Sequence, residues 1–326
     1  MWNLREYACA ANIARLLSAP GMPTAEPEPL VGIVVVNWRR PEATRACLAA
    51  LSAMPYRNWF AVVVDNGAAD FGLDALRAAL PNAAYVHSTV NLGFAGGSNL
   101  GMRTALQRGA EWVWFVNDDA APEPDALAAL LAAARRPPHP ALLGAKILQR
   151  ARPERLDSIA LQMDLDRGAV RLLGHDEIDR GQHDHAPEPL AVTGCALLVR
   201  RDACEQLGGF DETFFAYLED ADLCLRARRA GLRVAAVPSA RVRHDRAPAT
   251  QGRQSPSSLY YACRNHLVLL ALHAPQPPWR SRLRSARVLA GYLAFALRGD
   301  PSGARARIAA VRRGARDYAR GVMGPL

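Results

Sequence analysis

Acidic residues stand together at the end of a strongly apolar run, Asn117-Asp118-Asp119 after residues 112–116. That run predicts a buried strand. Two adjacent carboxylates at the end of such a strand repel each other and lose hydration unless a cation compensates them. A hard divalent cation that also bridges diphosphate oxygens would do so. The alternative is a cluster that caps the next helix, and the apolar character of the strand favours the metal.

A second acidic group, Glu219-Asp220-Ala221-Asp222, follows the aromatic segment 214–217. Acidic residues in a first helical turn complement the helix dipole, so the bare pattern is typical of a helix start. Asp222 precedes Arg226 by four residues, which predicts an intrahelical ion pair with a structural role. Asp220, beside aromatic side chains that would exclude water, is the candidate general base.

Three further motifs carry weaker signals. Asp65 follows the apolar run 61–64 and could accept a hydrogen bond from a nucleobase, although a plain turn explains it equally well. The glycines in 91–101 do not fit the dinucleotide motif, yet they would let backbone amides approach a phosphate or sugar; a flexible loop is the alternative. His244 lies among arginines and could either complete a metal site or contact solvent or an anion.

The elements that must position these residues alternate between strand and helix. Runs at 31–36, 61–64 and 112–116 predict strands buried on both faces of a parallel sheet, with polar residues where the strands end. Helices are expected between and after them, over 41–51 and 73–80, from the glycine-rich stretch to Gly109, and from near Pro122. We expect loops and an antiparallel edge over 137–189, then a strand at 196–199, a helix over 218–230, a strand at 233–237 and helices beyond 260.

Composition narrows the class of protein. The chain has 326 residues and a net charge of +9, which favours an anionic partner. Six scattered cysteines without a CxxC pair are typical of a cytoplasmic protein, and no apolar run reaches the length of a membrane span. Residues 1–28 are interpreted as an extension, helical or disordered. A basic nucleic-acid-binding protein is the alternative from another class, but its arginines should alternate with aromatics, whereas these concentrate in the tail.

The motifs together, in this order, resemble one family. They are Val31–Trp38, Val63-Val-Asp-Asn-Gly67, Asn91–Gly101, Asn117–Asp119, Thr193-Gly-Cys-Ala196, Gly208-Gly-Phe-Asp211 and Leu218–Arg229. The set resembles the family 2 glycosyltransferases of GT-A fold, and within them a bacterial rhamnosyltransferase-like branch.

The resemblance implies an α/β GT-A fold, a Rossmann-like nucleotide-diphospho-sugar transferase with a mostly parallel central sheet. Residues 29–258 would form the catalytic domain and 259–326 a basic helical region. The implied reaction is an inverting transfer, dependent on Mg²⁺ or Mn²⁺, from a nucleoside-diphosphate sugar to a saccharide or polyprenyl-diphosphate-linked acceptor. The branch favours dTDP-rhamnose as donor, with UDP-galactofuranose or another hexose nucleotide as alternatives. A non-catalytic scaffold is a further alternative, against which both acidic motifs speak.

The resemblance also assigns roles to residues. Asp220 matches the base, while Asp119 and His244 match positions that hold the metal. Asn117 replaces the first carboxylate of the family's D-x-D element, which removes one anionic ligand. The donor-side positions are Asn37, Asp65, Asn91, Gly93, Phe94, Gly97, Asn99, Asn117 and Asp118, and the acceptor-side positions are Thr193, Gly194, Tyr217 and Glu219.

The C-terminal region combines an apolar segment, 288–297, with arginines at 280, 282, 284 and 287 and from 305 to 316. Basic amphipathic helices of this kind lie on anionic bilayers. A helical cap on the catalytic domain is the equal alternative. The first interpretation predicts a cytoplasmic protein held peripherally at the inner face of the plasma membrane.

Overall fold

A computed structural model describes residues 28–67, 76–78, 80–185, 188–245, 255–298 and 301–326. Of the predicted helix at 73–80, residues 76–78 are helical, while 73–75 and 79 lie outside these ranges, as do residues 1–27. The strands of the described part are β1 (Val31–Asn37), β2 (Trp59–Asn66), β3 (Ala84–Ser88), β4 (Trp112–Val116), β5 (Ala120–Pro122), β6 (Leu142–Gln149), β7 (Leu156–Ser158), β8 (Leu161–Asp164), β9 (Ala169–Leu172), β10 (Ala196–Arg200) and β11 (Val234–His244). Its helices are α1 (Pro41–Ser52), α2 (Gly93–Gln107), α3 (Ala126–Ala134), α4 (Arg201–Leu207), α5 (Glu219–Arg229), α6 (Pro256–His273), α7 (Pro278–Ala296) and α8 (Pro301–Ala319).

The main sheet has the strand order β3-β2-β1-β4-β10-β6-β11-β5, with β7 paired to β6. Strands β3, β2, β1 and β4 run parallel, and β6 and β11 run in the same direction, because β10 is antiparallel to both β4 and β6. Apolar side chains on the two faces of this sheet enter two separate buried clusters. The uninterrupted apolar runs therefore form strands covered on both sides, as predicted.

We expected the glycine-rich stretch to lead into a helix. It instead forms the first half of α2. The reason is packing. A Cβ on Gly97 would lie 2.8 Å from Cγ1 of Val36, and one on Gly101 would lie 2.3 Å from Cγ1 of Val34. These glycines let the helix approach β1 more closely than any side chain would allow.

The expectation of loops over 137–189 was wrong for β6, which lies inside the sheet between β10 and β11. A lysine in its apolar run weakened the strand pattern. Lys146 is buried, and its Nζ lies 3.0 Å from Asp179 and 2.6 Å from Asp184, so its charge is neutralised. The antiparallel part of the expectation is confirmed by the β6–β7 and β8–β9 pairs.

Two element boundaries also differ from the prediction. Pro122 ends the short strand β5, and the following helix begins at Ala126. The strand expected at 233–237 continues through a bulge to His244. This extension brings His244 into register with Ala120, next to the acidic triplet.

Helices α6, α7 and α8 share a third apolar cluster. Leu269, also on α6, enters a cluster of the main sheet, so α6 connects the C-terminal helices to that sheet. Arg284 and Arg307, which the sequence placed on a basic surface, are buried and donate to backbone carbonyls instead. None of the helices in the described ranges is apolar over enough of its length to cross a bilayer.

Candidate active site

Asp119 lies at the end of β4 and is buried against two cationic partners. Its Oδ2 accepts from Arg40 at 2.9 Å, and its Oδ1 lies 3.0 Å from Nε2 of His244. The other ring nitrogen of His244 lies 2.9 Å from Asp157. The β5–β11 pairing produces this contact, because it brings the end of the long strand beside the residue after Asp119.

The pKa values of Asp118 and Asp119 are shifted in opposite directions. Burial and the adjacent charge of Asp119 raise the pKa of Asp118 to about 7. Burial acts in the same sense on Asp119, but the hydrogen bonds and charges of His244 and Arg40 outweigh it and lower the pKa of Asp119. Asp119 is therefore the carboxylate that stays ionised and available as a ligand.

Asp119 and His244 fit as two ligands of a divalent cation that is also coordinated by a bound diphosphate. Asp157 accepts from the Nδ1 of His244, and Nε2 points at Asp119, the usual carboxylate–histidine arrangement at metal sites; Nε2 would give up its proton to act as a ligand to the cation. Within the part of the chain described, no group of three or more His, Cys, Asp or Glu side chains is arranged to hold a metal unaided. The remaining ligands would have to come from water and a diphosphate.

Asp220 is held in the same region by backbone amides. Its Oδ2 accepts from Gly194 N at 2.7 Å, and its Oδ1 accepts from Ala221 N at 2.7 Å. Cys195, which follows Gly194, accepts at its carbonyl from Asn117 N at 3.0 Å, and this contact links the Asp220 region to the acidic triplet. Burial raises the pKa of Asp220 and, more strongly, that of Glu219.

Residues 213–218, which directly precede α5, form a strained loop. Phe215, Tyr217 and Leu218 have φ angles of 64°, 72° and 68°, a left-handed conformation that costs about 1 kcal/mol or more for each non-glycine residue. Tyr217 is exposed at 44% and precedes Asp220 by three positions. The aromatic residues that were predicted to exclude water from the site thus lie in this loop. Contacts with other parts of the chain must stabilise its left-handed conformation.

The fully buried pair Arg264-Asn265 of α6 imposes it. Nδ2 of Asn265 lies 2.9 Å from Phe214 O, 2.8 Å from Ala216 O and 2.8 Å from Tyr217 O. Arg264 donates to Thr213 O and Phe214 O, and also to Gly324 O near the C-terminus. Helix α6 therefore holds the loop that leads to Asp220.

The predicted donor side forms around the ends of β2 and β3. Asp65 is buried; its Oδ2 lies 2.9 Å from His87, and its Oδ1 has no hydrogen-bond partner within the described residues. Asn91 accepts from Gly93 N at 2.9 Å and from Asn66 at 3.1 Å. Asn66, at the end of β2, and His87, within β3, were not among the predicted site residues, because only their contacts with Asn91 and Asp65 show that they belong to this region.

Three other predicted positions have mixed surroundings. Asn37 is buried; its Oδ1 accepts from Thr44 at 3.1 Å, while its Nδ2 has no partner in the described part. Phe94 packs edge-to-face on Phe210, with ring centroids 5.7 Å apart, and a Cβ on Gly194 would lie 3.4 Å from it. Thr193 is half-buried next to Gly194.

Asn99 and Gly97 lie instead in packing contacts on α2. Asn99 is buried and exchanges hydrogen bonds of 2.8 Å with both backbone groups of Phe210, in addition to donating to Glu212. Gly97 packs on β1, as described above. The polar atoms of Asn99 are occupied by these partners, so we withdraw Asn99 from the donor-binding set. Gly97 lies on another side of the helix, where a Cβ would be 3.2 Å from Nδ2 of Asn66 at the end of β2, and it stays a predicted donor-side position. Arg40, absent from that set, contacts both Asp118 and Asp119.

Comparison with solved structures identifies the fold. The chain is similar to a mannosyltransferase from Pyrobaculum calidifontis in complex with GDP-mannose and Mn²⁺, with a TM-score of 0.56 and 17% identity over 96% of this chain and 94% of the other. It is also similar to Staphylococcus aureus TarS residues 1–349, with a TM-score of 0.51 and 17% identity over 90% of this chain and 92% of that one. The molecule therefore has a GT-A-like fold, which confirms the predicted fold class.

Sequence comparison assigns the family. The model "Glycosyltransferase like family 2" matches residues 27–266. An N-acetylglucosaminyl-diphospho-decaprenol L-rhamnosyltransferase of Mycobacterium tuberculosis is 32% identical over 275 residues, which cover 77% of this chain and 87% of the relative. Galactofuranosyltransferase GlfT1 of the same species is 43% identical over 106 residues, or 32% of this chain and 35% of the relative. The chain belongs to the family 2 glycosyltransferases.

Proposed function

We propose that this enzyme transfers L-rhamnose from dTDP-rhamnose, with inversion and with a divalent cation, to a hydroxyl group of a polyprenyl-diphosphate-linked saccharide. The proposed setting is the synthesis of a cell-envelope polysaccharide. The observation that carries the proposal is the carboxylate of Asp220, fixed by two backbone amides and linked through Gly194 and Cys195 to the Asn117–Asp119 segment.

Asp220 supplies the chemistry that inversion requires. An acceptor hydroxyl loses its proton to the carboxylate as its oxygen attacks the anomeric carbon, and the nucleoside diphosphate leaves on the opposite side. This displacement needs one positioned base and no nucleophile from the enzyme. Burial raises the pKa of Asp220, which makes the carboxylate a stronger base than an exposed aspartate.

Asp119 and His244 are the residues that would hold the cation. Bound there, Mg²⁺ or Mn²⁺ would neutralise negative charge on the leaving diphosphate. Arg40 contributes a second positive charge at the same carboxylate and is suited to contact a diphosphate oxygen. Asp65, with one buried carboxylate oxygen unpaired within the described residues, is suited to accept from a pyrimidine N–H.

The choice of sugar and acceptor rests on the relatives. The rhamnosyltransferase match extends over most of both chains, and its name specifies a polyprenyl-diphosphate-linked sugar as acceptor. The galactofuranosyltransferase match is more identical but covers 32% of this chain, so galactofuranose from its UDP nucleotide is the second candidate.

A panel of nucleotide sugars tests the donor. Binding of dTDP-, UDP- and GDP-sugars is measured by calorimetry with Mg²⁺, with Mn²⁺ and with EDTA. We expect the tightest binding for dTDP-rhamnose and a loss of affinity with EDTA. Preference for a UDP-hexose would refute the rhamnose assignment, and equal affinity in EDTA would refute the metal dependence. The configuration of the product's anomeric carbon, read by NMR, tests inversion.

Two substitutions separate the roles of the acidic residues. Asp220→Asn should reduce transfer by at least about a hundredfold while nucleotide affinity stays within about twofold, because it removes only the base. Asp119→Ala should abolish the dependence of nucleotide affinity on Mn²⁺. Asp125→Asn, at an exposed aspartate that makes no cap hydrogen bond, is the matched control and should change neither quantity. Turnover retained by Asp220→Asn would remove Asp220 as the base.

A further inference from the structure

The outward side of α7 combines apolar and basic residues in a way that the packing of the molecule does not use. Its six apolar members recur at intervals of three or four residues, which places them along one side of a helix, and they are called here the outer face. They are Trp279, Leu283, Ala286, Ala290 and Ala294 of α7 and Leu297, which directly follows the helix, all of them exposed.

Three of these side chains are large and mostly in solvent. Trp279 is exposed at 64%, Leu283 at 57% and Leu297 at 62%. The opposite side of α7, which includes Val288 and Ala296, packs into the apolar cluster shared with α6 and α8. The exposed apolar residues therefore take no part in packing the helix against the protein. Ordinary protein surfaces expose large apolar side chains singly, whereas here three lie along one side of one helix.

Arginines border the outer face on both sides. Arg280, Arg287 and Arg298 follow one edge of it, Arg282 stands on the other, and all four are exposed. Arg280 also lies over the ring of Trp279, 5.0 Å from its centroid. No acidic residue occurs in α7. An aromatic ring beside a guanidinium group is the combination found at the boundary between lipid headgroups and acyl chains.

The charge of the whole chain points to the same region. Residues 259–326 contain twelve arginines, no lysine, no glutamate and two aspartates, so their net charge of +10 exceeds the +9 of the full chain. The catalytic part is thus close to neutral, and the basic character belongs to the C-terminal helices. A polyanion without an apolar phase would complement the arginines but would leave Trp279, Leu283 and Leu297 in water.

We infer that the outer face of α7 lies in the plane of an anionic lipid bilayer, with its tryptophan and leucines at the acyl boundary and its arginines on the headgroups. The sequence indicated Val288–Leu297 as the apolar side of such a helix. The structure buries Val288 and Ala296 and transfers that role to residues one quarter to one half turn away. This surface is independent of the sugar that the enzyme transfers.

Co-sedimentation of the full chain with vesicles tests the inference without any substrate. One set of vesicles contains phosphatidylcholine alone. The other contains about 30–40 mol% phosphatidylglycerol as well, which gives a strong anionic surface potential. We expect partitioning onto the anionic vesicles and little onto phosphatidylcholine. Binding that is equal on both, or absent from both, overturns the inference.

Two triple variants divide the surface into its parts. Trp279→Ser with Leu283→Ser and Leu297→Ser should lower partitioning at least about tenfold, because each removes apolar area from the acyl boundary. Arg280→Gln with Arg282→Gln and Arg287→Gln should lower it on anionic vesicles about a hundredfold, at about fivefold for each charge. Neither set should alter the affinity for a nucleotide sugar, which reports an intact catalytic fold.

Matched controls remove the same kinds of side chain elsewhere. Ile178→Ser removes an exposed apolar residue, and a combined Arg57→Gln, Arg171→Gln and Arg180→Gln variant removes three exposed charges. Both should bind vesicles like the parent chain. Loss of binding in the arginine set with full retention in the tryptophan–leucine set would identify a soluble polyanion such as nucleic acid and overturn the inference. A change of oligomeric state in the tryptophan–leucine set, measured by sedimentation, would identify a second copy and overturn it too.

Discussion

Replacement of Asn265 tests how the strained loop before the base is held. Two amide hydrogens of Asn265 serve three carbonyl oxygens, those of Phe214, Ala216 and Tyr217, at 2.8 to 2.9 Å. Each lost hydrogen bond removes about 1 kcal/mol, and a buried carbonyl left without a donor costs about 1–3 kcal/mol more. Asn265→Ala should therefore lower the free energy of unfolding by about 2–4 kcal/mol.

The same substitution should affect catalysis beyond its effect on stability. Three residues of the loop hold left-handed conformations, each unfavourable by about 1 kcal/mol or more, so a loop without its donors will relax. Relaxation would move Tyr217 and change the approach to Asp220. We expect the rate of transfer to fall at least about tenfold, as 1.4 kcal/mol of lost positioning would give, while nucleotide affinity changes less.

The assay combines urea unfolding with transfer kinetics at saturating donor. Asn265→Asp keeps the shape of the side chain but replaces the donor by a carboxylate facing three carbonyls, so it should be at least as harmful. Asn58→Ala is the matched control, because Asn58 is exposed and donates to a single carbonyl, that of Glu28. If Asn265→Ala keeps parental transfer rates and unfolds like Asn58→Ala, then α6 does not hold the loop and the reasoning fails.

Three other measurements follow from single contacts. Gly101→Ala should lower the free energy of unfolding by about 1–3 kcal/mol because its methyl group would meet Val34, whereas Gly291→Ala, in open space on α7, should raise it by about 0.5–1 kcal/mol; equal effects would refute the close-packing explanation. Burial alone would raise the pKa of Asp222, but the hydrogen bond from His273 and the charge of Arg226 hold this pKa below its ordinary value. The ionised Asp222 therefore stabilises the folded state at neutral pH, and this stabilisation is lost as the pH falls below about 4. Asp222→Asn should accordingly unfold more easily at pH 7, and its difference from the parent chain in urea titrations should shrink as the pH falls below about 4. Because burial raises the pKa of Asp220 and a base must be ionised, the acidic limb of kcat/KM should lie above about 4; a limb at or below the ordinary aspartate value would count against it.

Sequence reasoning found the parallel strands and the acidic motifs because both are local. A continuous β-branched run buries both faces of a strand wherever it lies, and polar residues after such a run fall at the ligand-binding edge of the sheet. It missed β6, because the charge of Lys146 conceals a buried strand until Asp179 and Asp184 are seen to neutralise it. It also misplaced Asn99, whose partner Phe210 is far away in the chain.

The sequence by itself determined the family, the order of strands and helices around the site and the candidate roles of Asp119 and Asp220, since short motifs and hydrophobic periodicity encode these. Only the tertiary structure decided which atoms meet. It set His244 between Asp119 and Asp157, placed Arg264 and Asn265 beneath a strained loop, and turned Trp279 outward on α7. Each of these depends on contacts between segments distant in the chain, and a linear pattern carries no information about which distant groups will become neighbours.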